Sequence, residues 1–449
     1  MTCMPTVGPM IVTEAPGLAR LYRRLFALYL AFIACVTVLY GIVNVRIRSG
    51  WAIGEWLINY RAGFVRRGLT GEIALPVADT LRLPPVYVVL LMQLFFYAVA
   101  FFCVWRLVAN TNWDLWVVAI LVSPATLAFH VLDPTSGFRK EDILFAGLGT
   151  LLVVLLRRPL RDVWLTVSLS LFGVFCALSH EPLVLFTPYL FAALAIGFHS
   201  VPRAIKVGIL PIMLTVAAAA LAARHPGTPQ MAVRICSSLG YSDPASLPGL
   251  CNGAIAYLGR DSGFARHEVA LYIQLFHYYR LYAVLVVLAG LPVAMAWRAL
   301  WPCAGLRRDL LTLAAMALAS IAASTPLFIY AGDWGRWIYI HLFCIFLLLL
   351  FIDHRRQSDP ATAGPPPGLP PSLPKRLAVA LLLIAYATCW DLPHIGTFRP
   401  RFGYFGLARY LYQYRSLHPP QTTGETSHPA EGQPAARISA MAERDPRLP

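Results

Sequence analysis

The chain has 449 residues, 58% of them hydrophobic and 13% charged, with a formal net charge of +15. A soluble domain carries roughly 25% charged residues, so this composition argues against a soluble enzyme and for a helical protein threaded repeatedly through a membrane. The apolar stretches are continuous rather than alternating, which argues against a β-barrel, and the basic residues are scattered over many loops, which argues against a nucleic-acid partner.

Apolar runs between charged or proline-rich breaks predict an all-α fold of about eleven transmembrane helices. They fall at 21–43, 85–106, 114–131, 142–156, 162–179, 182–198, 204–223, 279–297, 309–329, 336–352 and 376–391. The first run is too long for a signal-peptide core and reads as a retained span. Orientation follows from the short basic loops. Arg20, Arg23, Arg24, Arg157, Arg158, Arg161, Arg203, Lys206, Arg298, Arg307, Arg308, Arg355 and Arg356 all fall on one side when the N-terminus is cytoplasmic. The expected plan is a cytoplasmic N-terminus (1–20) and a transmembrane core (21–352) with outer loops 45–84 and 224–278. A proline-rich cytoplasmic linker (353–375), a last transmembrane helix (376–391) and a polar, partly disordered tail (392–449) follow.

This topology puts the segments that mix acids, arginines and glycines on the outer face. The first loop contains "GEWLINYRAGFVRRGL", which suits helices lying in the membrane interface, broken by Gly63, Gly68 and Gly71. Its arginines break the positive-inside trend, so Arg61, Arg66 and Arg67 are candidates to grip a phosphate or diphosphate. In "DPTSGFRKEDILFAG", Arg139 and Lys140 could hold a phosphate while Asp133 or Glu141 pairs with them; alternatively the acids serve the start of a helix. His180 and Glu181 in "LSHEPLVLF" lie between two apolar runs with almost no loop, so either is a candidate base for a sugar hydroxyl or an ion-pair partner. In "YAGDWGRWIYIH", Asp333 and Arg336 are spaced to pair at a helix start, and Trp334 and Trp337 suit either the interfacial belt or a sugar-stacking role. Cys236 and Cys251, both in the second outer loop, are candidates for a disulfide. Residues 266–280 read as an interfacial helix leading into the next span. No Walker loop, dinucleotide fingerprint, HExxH or GxSxG motif is present, so ATP-driven transport, redox chemistry and zinc proteolysis lack support.

A first span, a long outer loop, many further spans and a face built from "GFVRRGL", "GFRKED", "SHEP" and "GDWGRW" together resemble the GT-C glycosyltransferases and bacterial membrane proteins associated with surface polysaccharides. The resemblance covers roughly residues 20–350. It implies transfer of a sugar from a polyprenyl phosphate or diphosphate to a glycan or lipid acceptor on the periplasmic face of an inner membrane. It also implies a catalytic acid in the first outer loop, for which Glu55, Glu72 and Asp79 are the candidates. Catalytic expectations are therefore Glu55, His180, Glu181 and Asp333. Substrate-binding expectations are Arg61, Arg66, Arg67, Arg139, Lys140, Trp334 and Arg336. The implied partners are membrane lipid, a lipid-linked sugar donor and a glycan acceptor. No metal ligand set is evident, although a divalent metal could take over part of the arginine work. An O-antigen or exopolysaccharide polymerase would use the same donor chemistry. A transporter or flippase would place charges near mid-membrane and repeat its halves, and no repeat is visible. A structural assembly partner would use the outer segments for docking.

Overall fold

In the computed structural model, the described residues are 16–109, 111, 113–157, 161–240, 249–358 and 373–396. The expectations for residues 1–15, for the proline-rich stretch 359–372 and for the tail from 397 lie outside them. The described residues are helical and contain no strand. In order they form α1 (Pro16–Arg46), α2 (Leu69–Leu81), α3 (Pro85–Val108), α4 (Leu115–Val122), α5 (Phe129–Leu132), α6 (Glu141–Leu156), α7 (Asp162–Ser179), α8 (Thr187–Phe198) and α9 (Val201–Ala223). These are followed by α10 (Pro229–Ser238), α11 (Ala254–Tyr257), α12 (Ser262–Phe276), α13 (Tyr278–Leu300), α14 (Arg307–Tyr330), α15 (Trp334–Ser358) and α16 (Leu373–Thr388).

Eight helical segments are long and apolar enough to cross a membrane: those of α1, α3, α7, α8 with the 3-10 turn before it, α9, α13, α14 and α15. They mark a multi-pass membrane protein. The other expected spans are shorter. Residues 114–131 are split into α4 and α5 by a turn, and α6 and α16 have 16 residues each. Helix α15 runs on to Ser358, so residues 353–358 are helical rather than linker.

Helix α15 is the most enclosed of the eight. It packs against α3, α6, α8, α13 and α14, while α7 pairs with α9 and α3 with α6. Leu28, Leu39, Leu171, Met213, Val287 and Leu318 point outward as large apolar side chains, as lipid-facing positions do. Polar loops gather at opposite ends of the bundle. At one end Arg203 pairs with Asp162, and Arg356 with Asp114 and Asp353. At the other end the first loop, the 133–141 corner, the 179–181 corner and the 331–336 turn meet.

The first loop is not the interfacial helix expected over 54–69. Gly54–Leu57 is one 3-10 turn, its residues are buried, and irregular chain follows up to α2. The cause is packing. Trp56 Nε1 donates to the Phe138 carbonyl (2.9 Å), and Thr70 Oγ1 to the Trp56 carbonyl (3.0 Å). Gly71 lies so close to the Ile58 carbonyl that a Cβ there would collide with it. Only α2 matches an interfacial helix. It buries Thr70, Ala74, Leu75 and Ala78 and exposes Ile73, Val77 and Leu81. The second outer loop is clamped to the first. Cys236 and Cys251 form a disulfide, and the Ala254 N–H donates to the Gly50 carbonyl (3.2 Å). Helix α12 covers most of the expected 266–280 helix and breaks at His277 before α13 begins.

Candidate functional site

Four chain segments bring their charged side chains into one network. Glu55, on the 3-10 turn, is fully buried. It pairs with Arg139, which makes a hydrogen bond to it, with Arg67 at 3.8 Å and with His180 Nδ1 at 3.5 Å. Arg67 forks onto Glu181, its Nε and Nη2 donating over 3.0–3.2 Å. Arg66 reaches the same carboxylate at 3.7 Å. Arg336 holds Glu141 at 2.6 Å and Asp333 at 2.7 Å. The pairing of Asp333 with Arg336 is the one expected from their spacing. The pairing expected of Asp133 is not formed: Asp133 accepts from the N–H of His394 (2.9 Å) and pairs with its ring Nδ1 (2.7 Å), while Arg139 goes to Glu55.

Backbone geometry sets these positions. Arg67 and Phe138 are non-glycine residues in the left-handed region, at φ +67° and +63°. That conformation costs on the order of 1–3 kcal/mol and persists where surroundings over-determine it. Here they do. Lys140 Nζ donates to the Arg67 carbonyl (2.8 Å) and the Ser179 carbonyl (3.0 Å). The Phe138 carbonyl accepts from Trp56 and from Gln93, and its N–H donates to Tyr97 Oη (3.1 Å). A buried lysine thus ties the first loop to the His180–Glu181 corner.

The electrostatics follow from burial and neighbours. Burial alone would raise the Glu55 carboxyl, but Arg139 first, then Arg336 and Lys140, hold it well below its usual value. Burial lowers His180 well below its usual value, and Arg67 and Arg336 reinforce the effect, so the ring is neutral. Arg336 Nη2 donates to His180 Nε2 (3.1 Å), which requires a lone pair there and leaves the proton on Nδ1, facing Glu55. Burial brings Lys140 down to about 7. Burial opposes ionisation of Asp333, but Arg336 foremost, then His394 and Arg139, keep its value low.

Exposure separates a sealed interior from an open rim. The side chains of Glu55, Arg139, Glu141 and Arg336 are all at most 5% exposed. Arg66, Arg67 and Asp333 are 27%, 22% and 23% exposed, and Glu181 is 13% exposed. In these pairs the carboxylates Glu55, Glu141, Glu181 and Asp333 face the cations Arg66, Arg67, Arg139 and Arg336, and at the exposed edge Arg66 and Arg67 share Glu181.

Two expected residues stand apart. Arg61 is exposed on the loop and forms no ion pair among the described residues. Trp334 is enclosed by Tyr278, Tyr279, Tyr282 and Phe328 at ring distances of 5.1–5.7 Å, and its Nε1 donates to the Phe328 carbonyl. It is a packing residue with no open face. Of the other first-loop acids, Glu72 accepts from the Tyr60 N–H (3.0 Å) and shapes the loop. Sequence reasoning missed Trp51, whose ring lies 5.0 Å from the Arg139 guanidinium, and the His394 strap over Asp133. It weighed Glu141 mainly as a helix-start acid, not as the partner of Arg336. Among the described residues no group of three or more His, Cys, Asp or Glu side chains is placed to hold a metal ion.

These features define a multi-pass helical membrane protein with a polar, partly open charge cluster at one end of its bundle. Comparison with known proteins gives no matching family model, no matching curated protein and no matching solved structure.

Proposed function

We propose that the chain is an integral-membrane glycosyltransferase that moves a sugar from a polyprenyl phosphate or diphosphate to a glycan or lipid acceptor. We further assign the charge cluster to the periplasmic face of an inner membrane, with the N-terminus cytoplasmic. We count about eleven crossings, because Asp114 pairs with Arg356 at one end of the bundle while Asp133 pairs with His394 at the other.

The observation that carries the reading is the open rim. Two adjacent arginines and two carboxylates, Glu181 and Asp333, reach the surface of a cluster whose other members are sealed. Arg66 and Arg67 would receive the donor phosphate, Arg67 exchanging part of its hold on Glu181 for phosphate oxygens. Asp333, oriented by Arg336, would take the acceptor proton. The acceptor oxygen bonds to the anomeric carbon and the bond from that carbon to the phosphate oxygen breaks. The proton goes to Asp333 and the electron pair leaves on the phosphate, where the arginines stabilise it. Glu55, His180, Arg139 and Lys140 are assigned to positioning. Glu55 is sealed from substrate, and the only lone pair of the His180 ring already accepts from Arg336.

The test is the lipid-linked and surface glycan profile, by mass spectrometry, of a deletion strain complemented with wild type, Arg66→Ala or Asp333→Asn at matched membrane levels. Loss of one sugar with a truncated intermediate supports the transferase. Shortened chains with intact repeat units indicate the polymerase instead. An unchanged profile in both variants removes either enzyme.

A further inference from the structure

Behind the charge cluster lies a cavity of about 10 Å³ whose wall includes Tyr97, Ala100, His130, Asp142, Phe145 and Tyr339. Two polar atoms of that wall have no hydrogen-bond partner: Asp142 Oδ2 and His130 Nδ1, on side chains of residues only 2% and 1% exposed.

The proton positions around them are fixed by their neighbours. Thr37 Oγ1 donates its single proton to the Ile33 carbonyl (2.7 Å). It therefore accepts from His130 Nε2, 2.7 Å away. His130 thus carries its proton on Nε2 and presents a bare lone pair at Nδ1. The Phe138 N–H donates to Tyr97 Oη, leaving the Tyr97 proton for Asp142 beside it.

An empty cavity would leave both groups without a partner, each bearing its full desolvation cost. Apolar cavities stay dry, whereas a cavity with room for one water and two polar partners meets the conditions for a bridging water. We propose that this cavity holds one water molecule that donates to His130 Nδ1 and hydrogen-bonds to Asp142 Oδ2. The bridge joins α6 to α5 and, through Thr37, to α1. It sits directly behind the cluster, because Asp142 follows Glu141, the partner of Arg336. It therefore braces the helix start that presents Lys140 and Glu141. The inference does not depend on the proposed reaction.

The experiment is X-ray hydroxyl-radical footprinting of the full chain in lipid nanodiscs, with millisecond exposures. An internal water generates radical where it is bound, so buried side chains around it are oxidised. The expected result is faster oxidation of Tyr97, Phe145 and Tyr339 than of Tyr189 and Phe186, which are also buried but do not line this cavity. Ala100→Leu, which fills the cavity, should bring the first set down to the rate of the second. Equal rates for both sets in wild type would overturn the proposal. Nitrogen-15 spectra of His130 give a second decision that needs no variant to fold: a proton on Nε2 with Nδ1 accepting agrees with it, and a proton on Nδ1 overturns it.

Discussion

Arg67 and Glu181, 114 positions apart in the chain, are joined by a two-pronged ion pair that links the first loop to the turn between α7 and α8. The pair is only partly open to solvent, so its members are coupled in stability as well as in function. A double-mutant cycle with Arg67→Ala and Glu181→Gln, read by thermal unfolding of the purified protein, should return a coupling of about 1–3 kcal/mol. Independent effects that simply add would show that the fork holds nothing together.

Glu55 is the carboxylate about which the sealed interior is arranged, and removing its charge strands Arg139. Glu55→Gln should lower stability by about 3–5 kcal/mol, the cost of leaving one member of a buried pair uncompensated. The sign of the pH effect follows from its depressed value in the folded state. The stabilisation is present above the unfolded carboxylate value of about 4.3 and is lost as pH falls through the folded one. Acid titration of unfolding should therefore be shallower in Glu55→Gln than in wild type.

Lys140 works in the opposite direction. Its folded value, near 7, lies below that of an unfolded lysine, so between these values the unfolded chain binds the extra proton and stability rises with pH. From pH 7 to pH 9 the gain is about 2 kcal/mol on this account. Lys140→Met should flatten that rise in a melting-temperature series. A parallel rise in the variant would assign it to other groups.

Trp334 separates packing from ligand stacking. Truncation to alanine should cost about 3–5 kcal/mol, as for other enclosed aromatics. Trp334→Phe should retain much of the stability and leave acceptor KM unchanged. A large rise in KM with normal stability would give the residue back to the substrate.

The bundle was legible because membrane insertion reads a local sum, and windows of about 20 apolar residues carry it. The grouping of the polar segments was legible too, since alternating spans sort loops by side. Pair-Asp333-with-Arg336 logic worked because three residues on one helix start are local. What could not be read was which cation meets which carboxylate across the bundle. Arg139 and Glu55 are 84 positions apart, and Arg336 and His180 are 156 apart. Nothing in the sequence distinguishes the buried Glu55 from the rim carboxylate Asp333. Burial is likewise invisible for Trp334, whose local pattern suits an interfacial belt, a sugar platform and a packed core equally well. The first loop failed as a helix because Trp56 and Gly71 are claimed by tertiary contacts that outweigh local preference.

The central claim is that the Arg66–Arg67 edge receives a lipid phosphate. The direct measurement is native mass spectrometry of wild type, Arg66→Ala and Arg67→Ala titrated with a polyprenyl phosphate, with the matching polyprenol as control. Each charge-assisted contact is worth about 1.5–3 kcal/mol, so each variant should bind the phosphate roughly ten- to a hundredfold more weakly and the alcohol as wild type does. Equal phosphate affinity in all three proteins would contradict the account.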